Sequence, residues 1–228
     1  MYLKKTFFNW SSGKDSALAL YKMAGRGEFD LQCLLTTVTE ESERVTMHGL
    51  RKELLIRQLK ATEIPYRILS LPAASDHETY TRIMSKEVTT LKSEGYNYAG
   101  FGDIFLEDLR NYREKQLETV GIKGVFPLWK ISTSEIIREF IGLGFKAVII
   151  CVDGQKLDPS FLGREINESL INDLPKDVDV CGENGEFHTF CYDGPVFNER
   201  VDFVPGEIVT RSYEVQGGSH AFHFLDLK

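Results

Sequence analysis

Between Trp10 and Ala17 the chain reads Ser11-Ser12-Gly13-Lys14-Asp15-Ser16. These residue types suit an anion cradle. Gly13 lets backbone approach a ligand closely. Ser11, Ser12 and Ser16 supply hydroxyl donors, Lys14 a cation, and Asp15 a carboxylate able to hold a metal ion. A second dense stretch lies far along the chain, Cys181-Gly182-Glu183-Asn184-Gly185-Glu186-Phe187-His188-Thr189-Phe190. Its glycines permit tight turns around two carboxylates, an amide, an imidazole and a hydroxyl. If Glu186, His188 and Phe190 begin a strand, they share one face. A carboxylate beside an imidazole can bind an amine, accept a proton or hold a metal. On composition alone the same stretch also reads as a polar hairpin loop.

The first cluster needs a strand before it and a helix after it. An apolar run, Leu3–Trp10, supplies the strand, and Ala17, Leu18, Leu20, Tyr21 and Met23 fall at helical spacing behind it. At such a junction backbone N–H groups and the helix dipole together face an anion, phosphate above all. Leu31–Val38 reads as a strand buried on both faces, Thr39–Thr46 as the loop at its carboxyl end, and Met47–Ala61 as a helix opened by His48. Pro65–Leu71 is a third strand. Ser75-Asp76-His77-Glu78 has capping-box spacing before a helix ending at Gly95. Tyr96–Phe101, then Gly102-Asp103-Ile104, a charged helix over Leu106–Val120 and a strand at Gly124–Phe126 follow.

Strands alternating with helices predict an α/β fold, a doubly wound, Rossmann-like parallel sheet, with ligands beyond the carboxyl ends of the strands. Three polar loops, Ser11–Ser16, Thr39–Met47 and Gly102–Asp103, fall at such ends. Beyond a soft boundary near Lys130 the texture changes. Ser132-Thr133-Ser134-Glu135 is a capping box, Phe145–Val152 a strand and Arg164–Leu174 a short helix. Phe187 onward reads as strands, with a turn at Gly217-Gly218. This predicts an α/β unit over 1–130 and a smaller α+β unit over 131–228. Gly142-Leu143-Gly144 is no dinucleotide fingerprint, because these glycines follow a helix and precede a strand.

The chain has 228 residues, a net charge of −7, 42% hydrophobic and 27% charged residues. That is an ordinary globular composition, and its acidity argues against general nucleic-acid binding. No window reaches membrane-span length, and no signal peptide precedes the first polar loop. Cys33, Cys151, Cys181 and Cys191 form no Cys-x-x-Cys, so reduced thiols in a cytoplasmic protein are expected.

Ser-Ser-Gly-Lys-Asp-Ser resembles the SGGxDS signature of the PP-loop ATP pyrophosphatases, with Ser12 where that pattern has its first Gly. The P-loop pattern Gly-x-x-x-x-Gly-Lys-Ser/Thr is absent. Gly-Glu-Asn-Gly-Glu-Phe-His-Thr, residues 182–189, resembles the second signature of the diphthine–ammonia ligase (diphthamide synthase) family of PP-loop proteins. Trp10, His48, Gly102-Asp103-Ile104 and Pro127-Leu128-Trp129 agree in order, and the resemblance spans residue 7 to about 195. It implies an adenine-nucleotide α-hydrolase-like fold and an AMP-forming carbon–nitrogen ligase. Such an enzyme adenylates a carboxylate, releases pyrophosphate and amidates the carboxylate with ammonia. It further implies ATP and Mg²⁺, with Ser11, Ser12, Gly13, Lys14, Asp15, Ser16, Thr36, Thr37, His48, Gly102 and Asp103 on ATP and Asp15 or Asp103 on the metal. Glu183, Asn184, Gly185, Glu186, His188 and Thr189 would form the acceptor and ammonia pocket, with Lys14, Asp15, Glu183, Glu186 and His188 as the catalytic set. The implied acceptor is diphthine on elongation factor 2, or a small carboxylic acid. No membrane is implied, and a homodimer is admitted. The rival readings are a tRNA-modifying PP-loop enzyme and a non-catalytic ATP-binding module.

Overall fold

In a computed structural model of the chain, residues 3–46, 48–72, 76–215 and 218–228 are described. Met47, Ser75 and Gly217, assigned by the sequence to a helix start, a capping box and a turn, lie outside them. The first apolar run forms β1 (Lys4–Asn9), with Phe7 and Phe8 buried on opposite faces as a period of two requires. It pairs in parallel with β2 (Phe29–Thr39), Lys4 facing Phe29 and Asn9 facing Leu35. Beyond β2 comes a two-residue antiparallel strand β3 (Arg44–Val45), then the parallel strand β4 (Tyr66–Leu71). On the other side of β1 lie β5 (Tyr98–Gly100) and β6 (Lys123–Val125). The parallel strands therefore run β4-β2-β1-β5-β6. That is the doubly wound order, and its reversal point is the carboxyl end of β1, where Ser11 begins.

Helices cover both faces. α1 (Lys14–Gly25) and α2 (Lys52–Ala61) bury Leu18, Leu20, Leu54 and Leu55 in one apolar cluster with Phe8 and Leu34. α3 (His77–Ser93) and α4 (Glu107–Glu118) place Leu91 and Leu117 in a second cluster with Phe7 and Leu35. Asp76 caps α3, accepting from Thr79 N–H at 2.8 Å. α2 begins at Lys52, later than the periodicity predicts, because Gly49 takes φ +71° and Arg51 is extended. His48 therefore sits in the loop before the helix and does not open it.

The second sheet is antiparallel. It orders β8 (Phe187–Asp193), β7 (Lys146–Asp153), β10 (Gly218–Leu227) and β9 (Pro205–Val215). The capping box at Ser132 and Glu135 opens α5 (Thr133–Gly142) as predicted. The following short helix shrinks to α6 (Glu168–Asp173), because Glu165 bridges to Val148 at the sheet. The larger apolar cluster runs through both halves, joining Phe8 and Leu18 to Phe140, Ile149 and Phe190. Lys22 on α1 pairs with Glu139 on α5 at 2.6 Å. All four cysteines are free and buried. Among the described residues no helix is long and apolar enough to cross a membrane.

A carboxylate clamp ties the last strand to the first sheet. Asp226 of β10 accepts from Arg44 at 2.8 Å and from Arg51 at 2.9 and 2.7 Å. These arginines, Arg51 foremost, hold Asp226 down at about 2, below its ordinary 3.8. The stabilisation is therefore full above pH 3.8 and lost as pH falls through about 2. Asp226→Asn should cost about 2 kcal/mol at neutral pH. Urea unfolding of both proteins should show that deficit closing as the pH approaches 2; a deficit constant with pH would refute the clamp.

Candidate active site

The Ser11–Ser16 loop leaves β1 at the reversal point and turns into α1, whose N-cap Gly13 supplies no side-chain cap. The loop's own side chains and the second sheet hold it. Ser11 N–H donates to Ser16 Oγ at 3.2 Å, and Lys14 N–H donates to Thr189 Oγ1 of β8 at 3.1 Å. Ser12 takes the left-handed φ of +73°, which explains why glycine is at home there. Its strained backbone is pinned by Gln58, which is fully buried. Gln58 Nε2 donates to Ser12 O at 2.9 Å and Cys191 O at 2.6 Å, while its Oε1 accepts from Trp10 Nε1 at 2.8 Å. Cys191 N–H adds a further bond to Ser12 O at 2.9 Å.

Lys14 is 3% exposed. Its Nζ donates to Asp15 Oδ2 at 2.7 Å and to the Cys181 carbonyl. Burial works against its charge, but Asp15, Cys181 and Glu183 outweigh it and the ammonium pKa is raised. Gly102 packs on the first turn of α1, where an added Cβ would stand 3.0 Å from Ser16 N. Next to it Asp103 faces Arg113 Nε at 3.0 Å. The contact is ionic without hydrogen-bond alignment, leaving Asp103 Oδ2 unbonded. Burial raises the Asp103 pKa despite Arg113.

The loop from Asp179 to Thr189 closes the other side. Glu183 Oε1 accepts from Ile104 N–H at 3.2 Å and Phe105 N–H at 3.4 Å, bridging the two halves of the chain. Burial, then the nearby Asp15 charge, pushes Glu183 up to about 7. His188 stacks on His48, with ring centroids 4.8 Å apart. Burial, then Lys14, pushes His188 down to about 4. Burial, His188 and Lys14 push His48 well below its ordinary value. Both imidazoles are therefore neutral beside the buried ammonium.

These groups line a pocket of about 500 Å³, with Ser11, Gly13–Ser16, His48, Gly102, Asp103, Glu183–Gly185, His188 and Thr189 on its wall. Four expected residues lie off it. Glu186 is 2% exposed and turned into its own loop. It accepts from Asp179 N–H at 3.0 Å, Asn184 N–H at 2.9 Å and Asn184 Nδ2 at 3.0 Å, so it shapes the loop rather than meeting substrate. The Ser12 side chain is buried under the loop. Thr36 shares the inward face of Leu34 and Val38, and Thr37 lies on the opposite face. Both pair with β4, Thr36 facing Ile68 and Thr37 facing Leu69, and neither lines the pocket.

Other wall residues escaped the sequence reading. Asn9 bonds Gly100 O at 3.3 Å, and Leu106 and Leu109 present apolar side chains at the rim. A polar residue ending an apolar strand, and two leucines three apart on a charged helix, were the available signals. Behind the wall, Asp179 accepts from Cys181 N–H at 2.8 Å and Thr133 Oγ1 at 2.7 Å, and no sequence signal marked it.

The carboxylates suit Mg²⁺ on a nucleotide. Asp15 Oδ1 and Asp103 Oδ2 are buried without hydrogen-bond partners. Among the described residues no three His, Cys, Asp or Glu side chains cluster as a self-sufficient cage. Mg²⁺ ordinarily takes one or two carboxylates plus phosphate oxygens and water.

A doubly wound sheet with a Ser-Gly-Lys-Asp-Ser loop at its reversal point defines a nucleotide-binding α/β protein of the PP-loop kind. Residues 4–124 match the diphthamide synthase N-terminal domain and residues 132–220 the diphthamide synthase C-terminal domain. The chain belongs to the diphthamide synthase family. It is 30% identical over 128 residues to the diphthine–ammonia ligases of Bos taurus and Homo sapiens, covering 52% of this chain and 48% of each relative. The ligase of Rattus norvegicus is 30% identical over 146 residues, covering 58% of this chain and 55% of the relative. The chain thus spans about half the length of the curated relatives it matches. Among solved structures, the U34-tRNA thiolase NcsA of Methanococcus maripaludis superposes with TM-score 0.40 at 18% identity, over 63% of this chain and 59% of that one. A protein described as a predicted subunit of tRNA methyltransferase from Methanocaldococcus jannaschii gives 0.38 at 13%, over 68% and 81%.

Gln58→Leu would strip partners from Trp10 Nε1 and Cys191 O and loosen Ser12. Unsatisfied buried groups of this kind cost about 1–3 kcal/mol each. Chemical denaturation should show a loss of about 3 kcal/mol, with weaker ATP binding at temperatures where the variant stays folded. An unchanged midpoint and affinity would show the amide to be dispensable.

Proposed function

We propose that this chain is an ATP-dependent amide ligase that adenylates a carboxylate and then amidates it with ammonia. The relatives' names motivate diphthine as the acceptor. The observation that carries the reading is the joining of two loops around one pocket. The phosphate loop brings Lys14 and Asp15, and the Asp179–Thr189 loop brings Glu183 and His188, with Lys14 bonded to both Thr189 and the Cys181 carbonyl. A carboxylate is a poor electrophile because its leaving group would be oxide. Attack of its oxygen on the α-phosphorus of ATP forms an acyl-adenylate and expels pyrophosphate. The α1 N-terminus, Ser11, Ser16 and Lys14 stabilise the departing charge. Mg²⁺ held by Asp15 and Asp103 would neutralise phosphate oxygens. Ammonia then adds to the acyl carbon, AMP leaves, and a proton is lost from nitrogen.

Glu183 suits that proton. A carboxylate near pH 7 is half ionised and accepts a proton at little cost. His188, held down near 4, is a weaker base and serves as a neutral hydrogen-bonding wall. In this reading residues 1–130 bind ATP and 131–228 contribute the acceptor side. Thiol chemistry is disfavoured, because burial raises the pKa of all four cysteines.

Asp15→Ala should reduce pyrophosphate release from ATP by about 100-fold or more, measured at a temperature where circular dichroism shows the variant folded. Normal turnover would sink the phosphate-loop assignment. With diphthine-bearing elongation factor 2 as acceptor and free ammonia held constant, the amidation rate should rise with pH through about 7. Glu183→Gln should be slow and lose that rise; a retained rise would assign the base elsewhere.

A further inference from the structure

A second cavity, about 540 Å³, adjoins the nucleotide pocket. It lies between the loop after β2 and the β9–β10 hairpin, with Thr39, Arg44, Thr46, Arg211 and Phe224 on its wall. Among the described residues His188 is the one side chain that lines both cavities. The two spaces thus share the His188 ring, which stacks on His48. A two-substrate reaction at the α-phosphate needs such an arrangement, with a separate seat for the second reactant opening onto the nucleotide.

The wall chemistry narrows what sits there. Arg44 is spoken for by Gly49 O at 2.7 Å and by Asp226. Arg211 is different: its guanidinium lies over the Phe224 ring, 5.6 Å from the centroid, with no ion-pair partner among the described residues. Thr46 Oγ1 is buried with no hydrogen-bond partner among the described residues. The Phe224 ring packs against Gly49, where an added Cβ would stand 2.8 Å from it. Glu41 stands exposed at the rim and would turn away anions not led in by Arg211. An unpaired planar cation, an orphan hydroxyl and an aromatic floor together fit a carboxylate carried on an apolar body.

The geometry points to this cavity as the acceptor site. Arg211 guides and holds an acceptor carboxylate, Thr46 donates to it, Phe224 packs its apolar body, and His188 forms the gate to the nucleotide. The inference rests on the ligase reading above, but binding tests it without turnover. The probe is 3-phenylpropanoate, with its neutral amide as control. It is titrated by calorimetry into protein saturated with an ATP analogue carrying a methylene bridge between the α- and β-phosphorus.

The acid should bind the nucleotide-loaded protein, and the amide about 10-fold more weakly. Arg211→Gln should weaken the acid about 10-fold, and Ser42→Trp, which fills the cavity from its exposed loop, should block it. Neither variant should alter nucleotide affinity. Absence of acid binding, equal affinity for acid and amide, insensitivity to both variants, or competition between acid and nucleotide would each overturn the assignment. Displacement of the probe by the diphthine-bearing protein identifies a protein-borne acceptor, and a probe that stays bound in its presence identifies a free acid. A protein that binds the acid here yet releases no pyrophosphate keeps the site and loses the ligase reading.

Discussion

Gln58 sits in the interior with every polar atom of its amide engaged, and three separate parts of the chain converge on it. Trp10 directly follows the first strand, Ser12 belongs to the phosphate loop and Cys191 to the second sheet. A buried amide is costly unless satisfied, so its bonds oblige the three segments to keep one arrangement. That arrangement forces Ser12 into a left-handed backbone, which residues other than glycine adopt at some cost. The strain is local, and the tertiary bonds that over-determine it are the ones that aim Gly13, Lys14 and Ser16 into the pocket.

Around this pin the charges form a sequence of environments. Lys14 keeps its proton although buried, because Asp15 and the Cys181 carbonyl face it. Its retained charge in turn discourages protonation of His48 and His188. Glu183, within the field of Asp15, is pushed the other way. One compact site thus holds a permanent cation, two neutral rings and a carboxylate near half ionisation. Their differences follow from burial and neighbours rather than residue type.

Much of the scaffold was legible because it rests on local rules. Apolar runs, the capping box at Ser132 and alternating elements marked strands and helices, and the polar loop at the end of β1 fell where a doubly wound sheet binds ligands. Details set by tertiary contacts were not. Glu186 has the residue type of a catalytic group, and only the fold shows its carboxylate consumed by backbone N–H groups of its own loop. Thr36 and Thr37 were expected at a strand end, but β2 continues to Thr39 and neither threonine lines the pocket. His48 and His188 were each singled out, yet nothing in their spacing announces that their rings stack. Gln58 carries no motif, because its importance lies wholly in what packs on it.

The bond from Lys14 N–H to Thr189 joins residues 175 positions apart, and the strand that carries Thr189 is held by β7, which in turn pairs with β10 near the end of the chain. The phosphate loop is therefore completed by segments far from it in the sequence. Until the second sheet assembles, Lys14 lacks the carbonyl that shares its burial and Ser12 lacks the bonds that hold its backbone. Closing a loop of that span is paid in chain entropy before any contact rewards it. The loop's shape thus depends on the second sheet, and a chain with that sheet unpaired has the loop's sequence without its shape.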